Sequence, residues 1–216
     1  MTLYSFTTLY IIAMEIFLTL TLIKMFKFSN LTSSVTGKAY TIFGTWLLSV
    51  LVLFGSLKIL PKDISSVELF TIILIGVVLS GIFFYLLKKE FLSLPQEFLL
   101  LPQGFRMFFG AGFLAEAVFG IMPSVYGVLD GILHITTAFL ALTLAIYIAK
   151  GYKVKKSLIL INLFGLLDIV VVAAGIAFII LKDIGSDHNV FLAVFYAAPI
   201  FIWLHLISLY KVFKKE

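Results

Sequence analysis

Long apolar runs dominate this sequence, and their length is the strongest constraint on its fold. Seven such runs follow one another, each close to the roughly 20 residues that an α-helix needs to cross a ~30 Å hydrocarbon core. The chain is 62% hydrophobic and 12% charged, whereas soluble domains are about 45–50% apolar and about 25% charged. Backbone polar groups in lipid need internal partners, so the runs are expected to be helices. The sequence predicts one all-α, seven-helix transmembrane domain over residues 1–216.

Short polar or proline-containing connections separate the predicted spans. The expected limits are residues 4–26, 39–60, 67–87, 105–122, 126–149, 157–181 and 190–213. Residues 91–103 contain Pro95 and Pro102 and are expected to form an interfacial connector, because proline interrupts a helix. No basic segment precedes the first apolar run, so we expect the N-terminus to be retained rather than removed as a signal peptide.

The distribution of lysine and arginine predicts an orientation. If the helices alternate in direction, one face receives 13 of the 16 basic residues and the other face receives three. The larger group is Lys24, Lys27, Lys38, Lys88, Lys89, Arg106, Lys150, Lys153, Lys155, Lys156, Lys211, Lys214 and Lys215, and the smaller is Lys58, Lys62 and Lys182. The positive-inside rule places the larger group in the cytoplasm, with the N-terminus outside and the C-terminus inside. The net charge of +5 is thus explained by topology, and no nucleic-acid partner is expected.

Polar residues inside the later spans are the candidates for function, because a charge at the centre of a membrane helix costs about 2.5–3.5 kcal/mol to insert. They are Arg106, Glu116, Asp130, His134, Asn162, Asp168 and His205. A rise of 1.5 Å per residue assigns each one a depth. The predicted outer cluster is Glu116, Asp130 and His134. The predicted inner cluster is Arg106, Asn162 and His205, with Asp168 between the two. This order predicts a proton pathway or a polar cavity between helices four to seven.

Most of these residues also have a structural interpretation. Arg106 could extend to the headgroups or pair with Asp168. Asp130 could be a first-turn acid that complements the helix dipole, and His134 could hydrogen-bond Asp130. Asn162 and His205 could be polar contacts between helices. Asp168 has no helix end near it and is the strongest functional candidate.

Glu116 has an informative local sequence. Gly112 and Gly120 flank it at i−4 and i+4, so the predicted groove around its carboxylate lacks side chains. This pattern predicts either close helix packing through small residues or a carboxylate at the floor of a cavity.

Short motifs in the second half of the chain resemble those of a group of small bacterial seven-helix integral membrane proteins. The motifs are FRMFFGAGFL, two Gly-x-x-Asp helices (GVLD and GLLD) and the final helix APIFIWLHLISL. The resemblance implies that Arg106, Asp130, Asn162, Asp168 and His205 are the polar positions of the group, and it implies no substrate. It also implies an integral protein of a bacterial cytoplasmic membrane, with the lipid bilayer as its partner.

Several known classes do not fit the sequence. A retinal protein needs a lysine in the core of the seventh helix, where Lys211 lies only at the end. Zinc hydrolases of the ceramidase and progestin-receptor type need three histidines with an HxxxH pair. The three histidines here, His134, His188 and His205, lack that spacing. Cysteine is absent, and no cofactor is expected.

Three functional hypotheses remain. The leading one is a protein that binds or transports a small ligand, which could be a lipid, or protons through helices four to seven. The second is a membrane-embedded metal-dependent enzyme that uses Glu116, Asp130 and His134. The third is a sensor or assembly subunit in which the buried polar groups only fix helix packing. The sequence leaves the oligomeric state open.

Overall fold

A computed structural model describes residues 2–28 and 33–214, and this part of the chain contains helices and no β-strand. Seven segments within it are long and apolar enough to cross a membrane. These spans, numbered first to seventh, are Leu3–Phe28, Ser34–Ser56, Ser66–Leu86, Gln96–Val118, Ser124–Ala149, Lys155–Ile184 and Val190–Lys214. The predicted number of spans is confirmed.

Within the described ranges 2–28 and 33–214, eleven α-helices make up the spans and the segment between the third and fourth spans. They are α1 (Leu3–Phe28), α2 (Ser33–Val50), α3 (Ser66–Leu86), α4 (Lys88–Ser93), α5 (Gln96–Leu100), α6 (Arg106–Val118), α7 (Ser124–Ala149), α8 (Lys155–Gly175), α9 (Leu181–Ile184), α10 (Val190–Phe195) and α11 (Ala197–Lys214). π-helical turns at Leu51–Ser56 and Ile176–Ile180 extend α2 and α8, and a 3₁₀ helix at Leu101–Phe105 joins α5 to α6.

The fourth span differs most from the prediction. It begins at Gln96, not at 105, and ends at Val118, not at 122. The prediction of an interfacial connector over 91–103 is therefore wrong for its second half. Pro102 occupies the start of the 3₁₀ helix, where a missing N–H is tolerated. Leu99 and Leu100 are fully buried in the bundle, so packing overrides the two prolines.

The end of α6 explains the earlier stop. Gly120 follows the helix with φ of +68°, a left-handed conformation that glycine adopts at low cost. Apart from its neighbours in the chain, no atom of the described residues lies within 4 Å of a Cβ built at Gly120. Its role is to end the helix, and the prediction that it lies on a packing seam beside Glu116 is wrong. Gly112 faces Tyr10 of α1, whose ring lies 3.1 Å from a Cβ built at that glycine.

Contacts between the connections define one end of the bundle. Tyr4 Oη donates to the backbone oxygen of Asp187 at 3.1 Å. Lys58 Nζ forms an ion pair with Asp187 Oδ2 at 3.4 Å. The start of the first span, the connection after the second and the connection after the sixth therefore meet.

The opposite end is defined in the same way. Lys38 Nζ donates to the backbone oxygen of Leu86 at 2.6 Å, and Lys211 Nζ donates to that of Leu94. The start of α2 therefore meets the end of α3, and the end of α11 meets the end of α4, which follows α3 directly. If successive spans alternate in direction, these are the connections and helix ends that should lie together at each end of the bundle. Lys215, which the predicted basic face includes, lies outside the described residues.

The seventh span is the centre of the bundle and the third span is at its edge. Of the most apolar 18-residue window in each, 72% is buried in the seventh span and 22% in the third. The seventh span therefore carries its polar side chains, such as His205, into the interior.

Candidate functional site

An ion pair between Arg106 and Asp168 lies at the centre of the polar residues. Arg106 begins α6, Asp168 lies in the middle of α8, and both side chains are fully buried. Arg106 Nη2 donates to Asp168 Oδ2, which also accepts from Thr137 Oγ1 at 2.8 Å. Arg106 Nη1 donates to the backbone oxygen of Gly165 at 3.1 Å. Arg106 thus pairs with Asp168 and does not extend to the headgroups.

Asp130 and His134 join this pair from α7. His134 Nδ1 lies 3.1 Å from Asp130 Oδ1 and 3.4 Å from Asp168 Oδ1. The two α7 residues are one turn apart and therefore share a face. Asp130 is the seventh residue of α7, since the helix starts at Ser124. The prediction of a first-turn acid is therefore wrong.

His205 and Asn162 continue the polar contacts from Arg106. Asn162 Nδ2 donates to the backbone oxygen of Leu158 at 2.7 Å and to Ser208 Oγ at 2.9 Å. Its Oδ1 therefore accepts from His205 Nδ1 at 2.8 Å. His205 Nε2 is then left as an acceptor for Arg106 Nη1 at 3.4 Å. These contacts fit a neutral His205 with its proton on Nδ1.

We name the connected residues the polar chain: Asp130, His134, Thr137, Asp168, Arg106, His205, Asn162 and Ser208. It runs through the fourth to seventh spans and is buried along its whole length. Gln96 extends it, because its Nε2 donates to the backbone oxygen of Ser208 at 2.9 Å. Six of the seven predicted site residues are members.

Glu116 is the predicted site residue outside the polar chain. Its carboxylate is fully buried, with Thr7 and Asn189 as its polar neighbours. Neither carboxylate oxygen receives a hydrogen bond of normal geometry from the described residues. Asn189 Nδ2 instead donates to Thr7 Oγ1 at 2.9 Å. The predicted outer cluster of Glu116, Asp130 and His134 is thus divided, because Asp130 and His134 turn toward Asp168.

Glycines set the close approaches that place these side chains. A Cβ at Gly165 would lie 2.3 Å from His205 Nε2, so His205 reaches Arg106 over a helix surface without a side chain. A Cβ at Gly110 would lie 2.6 Å from the backbone oxygen of Gly131. The backbones of α6 and α7 therefore cross in contact, as small residues allow.

Beside the polar chain lies a cavity of about 200 Å³ between the third to seventh spans. His134 lines it, and nearly all of the remaining wall is apolar, including Phe109, Phe113 and Phe201. Leu74 and Val170 also line it and are about half exposed on the outer surface, so the cavity opens sideways between the third and sixth spans. The sequence predicted a polar cavity between helices four to seven. The walls of the cavity are instead almost entirely apolar, because the polar groups contact one another.

One group of side chains could hold a metal ion. Donor atoms of Asp130, His134 and Asp168 all lie within 4.8 Å of one another. Glu116, predicted as the third ligand, is not a member, and Asp168 takes its place. Asp130 Oδ1 and Oδ2 and Asp168 Oδ1 are buried and receive no hydrogen bond of normal geometry from the part of the chain that the structure describes. An ion or a proton would satisfy them.

The sequence reasoning missed Thr137, Ser208 and Gln96. Thr137 follows His134 by three residues and Ser208 follows His205 by three, so helical spacing places each on the face of a predicted site residue. That spacing could have identified Thr137 and Ser208 as members of the site. Gln96 had no such signal, since it lies in the segment expected to be a connector.

His188 lies in the connection before the seventh span. Burial lowers the pKa of His188 to about 4, and its Nδ1 accepts from the backbone N–H of Val190 at 3.1 Å. Its ring packs edge-on against Tyr4, with centroids 5.8 Å apart. His188 therefore holds the sixth-to-seventh connection against the first span.

The fold and site define an all-α protein with seven helices long and apolar enough to cross a membrane and a buried chain of polar residues. The chain matches the family model described as Domain of unknown function (DUF8737) over residues 65–213. This is more than half of its length, and the chain belongs to that family. The match includes every residue of the polar chain. No curated protein and no solved structure matches the sequence.

Proposed function

We propose that this chain is an integral membrane protein that binds or transports a small apolar or amphipathic ligand in the cavity beside His134. The observation that carries the proposal is the double position of His134. Its ring lines the apolar cavity, while its Nδ1 lies within 3.4 Å of both Asp130 and Asp168. A ligand in the cavity would therefore meet one polar group, and that group is connected to the polar chain.

The cavity size supports a small ligand or the end of a longer one. An engineered apolar cavity of about 150 Å³ stays dry and binds benzene. The cavity here is slightly larger, at about 200 Å³. Its side opening would admit a molecule from the hydrocarbon layer without passage through water.

Ligand binding shifts a proton between Asp130 and His134 in this proposal. If Arg106 is charged and Asp168 is ionised, Asp130 and His134 must together carry one proton for the site to be neutral. Buried charges without partners are costly. The proton lies on His134 when Asp130 is ionised, or on Asp130 when His134 is neutral. The distance between His134 Nδ1 and Asp130 Oδ1 is 3.1 Å. A ligand that accepts a hydrogen bond from His134 favours the first state, whereas a donor favours the second.

We further propose that the N-terminus lies outside and the C-terminus in the cytoplasm, in the inner membrane of a bacterium. The basic residues support this orientation, since Lys38 and Lys211 lie at one end of the bundle and Lys58 at the other. The resemblance of the sequence motifs to small bacterial membrane proteins supports the location.

Identification of co-purified molecules by mass spectrometry tests ligand binding. In Ala173→Leu, a larger side chain fills the cavity wall. Its control is Val171→Leu, two residues away on the same helix and about half exposed. We expect the same bound molecule in the wild type and in Val171→Leu, and its loss from Ala173→Leu. Equal recovery from all three would contradict binding in this cavity.

Proton coupling is tested in liposomes that contain a pH-sensitive dye. An anionic ligand would bring a further negative charge into the site, so its entry requires one more proton from water on Asp130 or His134. We expect His134→Gln to abolish the uptake of that proton, which the wild type shows when the identified molecule is added. Glu116→Gln should retain it, since Glu116 lies outside the polar chain. If His134→Gln behaves like the wild type, coupling is wrong and binding alone remains.

A metal site is the second candidate, because Asp130, His134 and Asp168 offer three donor atoms within 4.8 Å. Two carboxylates and an imidazole suit zinc with an open fourth position. Elemental analysis after gentle purification tests it. About one bound ion in the wild type and none in His134→Ala would support a metalloprotein. Absence of metal from the wild type would argue against one.

A further inference from the structure

A groove on the outer surface, separate from the cavity, lies between the third and seventh spans. It has a volume of about 470 Å³. Its walls include Gly81 and Tyr85 of α3, and Trp203, Leu206 and Tyr210 of α11, and Lys88 of α4 is the charged residue that lines it. Tyr85, Leu206 and Tyr210 are 72%, 39% and 46% exposed, so the groove is open on the outer surface, which the proposed membrane location would place against lipid.

The floor of the groove is built around Trp203. A Cβ at Gly81 would lie 2.4 Å from the indole, so the ring rests directly on the α3 backbone. Trp203 Nε1 donates to the backbone oxygen of Val77 and to Ser80 Oγ, both at 3.0 Å. The polar atom of the indole is therefore satisfied inside the protein. Its apolar ring is left to form a rigid surface, as a hydrocarbon chain requires.

Lys88 supplies a positive charge at one end of the apolar groove. Its Nζ lies 6.0 Å from the centre of the Tyr85 ring, within the range of a cation–π contact. Within residues 2–28 and 33–214, Lys88 forms no ion pair with a carboxylate. Lys88 lies two residues from Leu86, whose backbone oxygen accepts from Lys38 at the end of the bundle that α2, α3 and α11 share. Its charge is thus available at the level where a span ends.

We propose that this groove binds an anionic phospholipid, with an acyl chain against Trp203 and the phosphate on Lys88. Charge complementarity selects the headgroup, because basic pockets between membrane helices bind anionic headgroups. Trp and Tyr with a lysine beside them are the side chains that bilayer interfaces favour. The proposal does not depend on the ligand of the cavity, since His134 takes no part in the groove.

Fluorescence quenching by brominated lipids tests the proposal directly. The chain has two tryptophans, and Trp46 is buried, with 7% exposed. Trp46→Phe therefore leaves Trp203 as the single reporter. The protein is reconstituted in phosphatidylcholine vesicles with equal amounts of brominated phosphatidylglycerol or brominated phosphatidylcholine. We expect phosphatidylglycerol to be favoured about fivefold, the effect of one lysine near an anionic surface.

Two lysine variants in the same background complete the test. Lys88→Gln should abolish the preference for phosphatidylglycerol. Lys150→Gln, at an exposed position just after α7, should retain it. Equal quenching by the two lipids, or a preference that survives Lys88→Gln, would overturn the proposal. Absence of quenching by either lipid would also overturn the proposal. A dimer of the purified protein would then indicate that a second copy covers the groove.

If Trp46→Phe fails to fold, native mass spectrometry of the otherwise unchanged chain gives a second measurement. We expect retained phosphatidylglycerol in the wild type and in Lys150→Gln, and less of it in Lys88→Gln. The same amount retained by all three would contradict the site.

Discussion

Asp168 contacts three side chains of the polar chain. It accepts hydrogen bonds from Arg106 and Thr137 and lies 3.4 Å from His134. Removal of one partner from a buried ion pair leaves the other charge without compensation. We expect Asp168→Asn to lower the free energy of unfolding by about 3–5 kcal/mol. Reversible unfolding in mixed micelles, followed by circular dichroism, measures this change.

Two further variants separate charge from hydrogen bonding. Thr137→Val removes one hydrogen-bond donor from the ionised carboxylate and should lower the free energy of unfolding by about 1.5–3 kcal/mol. The double variant Arg106→Met with Asp168→Leu removes both charges, and we expect it to recover much of the loss, as buried pairs replaced by apolar residues do. If Asp168→Asn lowers the free energy of unfolding no more than Thr137→Val does, Asp168 is not needed to compensate the charge of the Arg106 guanidinium.

His188 gives the clearest dependence on pH. Burial lowers its pKa from 6.5 to about 4, so the unfolded chain binds a proton more readily than the folded chain does. The stability from neutral His188 is complete above about pH 6.5 and is lost as the pH falls toward 4. The maximum effect is about 3 kcal/mol.

Thermal unfolding of the wild type and of His188→Gln at pH 7.5 and pH 4.5 isolates this contribution, because other groups titrate equally in both proteins. We expect the wild type to lose more stability at pH 4.5 than the variant does. Identical losses would show that His188 is protonated as easily when folded as when unfolded.

The crossing of α6 and α7 decides the geometry of the site among the helices. A Cβ at Gly110 would lie 2.6 Å from Gly131 O and 3.1 Å from His134 Cβ. Gly110→Ala must therefore move α7 at the residue that joins the cavity to the polar chain. We expect a loss of about 1–3 kcal/mol in the free energy of unfolding, typical of an overpacked contact.

Gly44→Ala is the matched control for Gly110→Ala. Gly44 lies inside α2, and outside the backbone of its own helix no described atom lies within 4 Å of a Cβ built there. Alanine is the better helix former by about 1 kcal/mol, so this variant should be neutral or more stable in the same unfolding assay. A stable Gly110→Ala would show that the two helices can separate without cost.

The helices also show which parts of the structure a sequence can predict. Apolar length determines that a span exists, so all seven were predicted. The limits of the fourth span were not, because burial of Leu99 and Leu100 outweighs the signal of Pro95 and Pro102. Asp130 and His134 could be paired from their spacing on one helix. The contact of His134 with Asp168 could not, since it depends on how α7 and α8 pack.

For the whole bundle, two independent observations bear on orientation. The lysine distribution assigns each connection to a side from sequence alone, and the contacts of Asp187 and Lys38 group the connections in the same way. In the orientation proposed above, the positive-inside rule assigns the basic end to the cytoplasm. Whole-cell labelling can test that assignment.

Lys62 and Lys153 are suitable labelling positions, because both are exposed in connections at opposite predicted faces. The chain has no cysteine, so Lys62→Cys and Lys153→Cys each introduce a single thiol. We expect a membrane-impermeant maleimide to label Lys62→Cys in intact cells and Lys153→Cys only after permeabilisation. The wild type, which has no thiol, is the control for background labelling. The reverse pattern would invert the topology, and labelling of both variants in intact cells would contradict a bundle with its connections on two sides of a membrane.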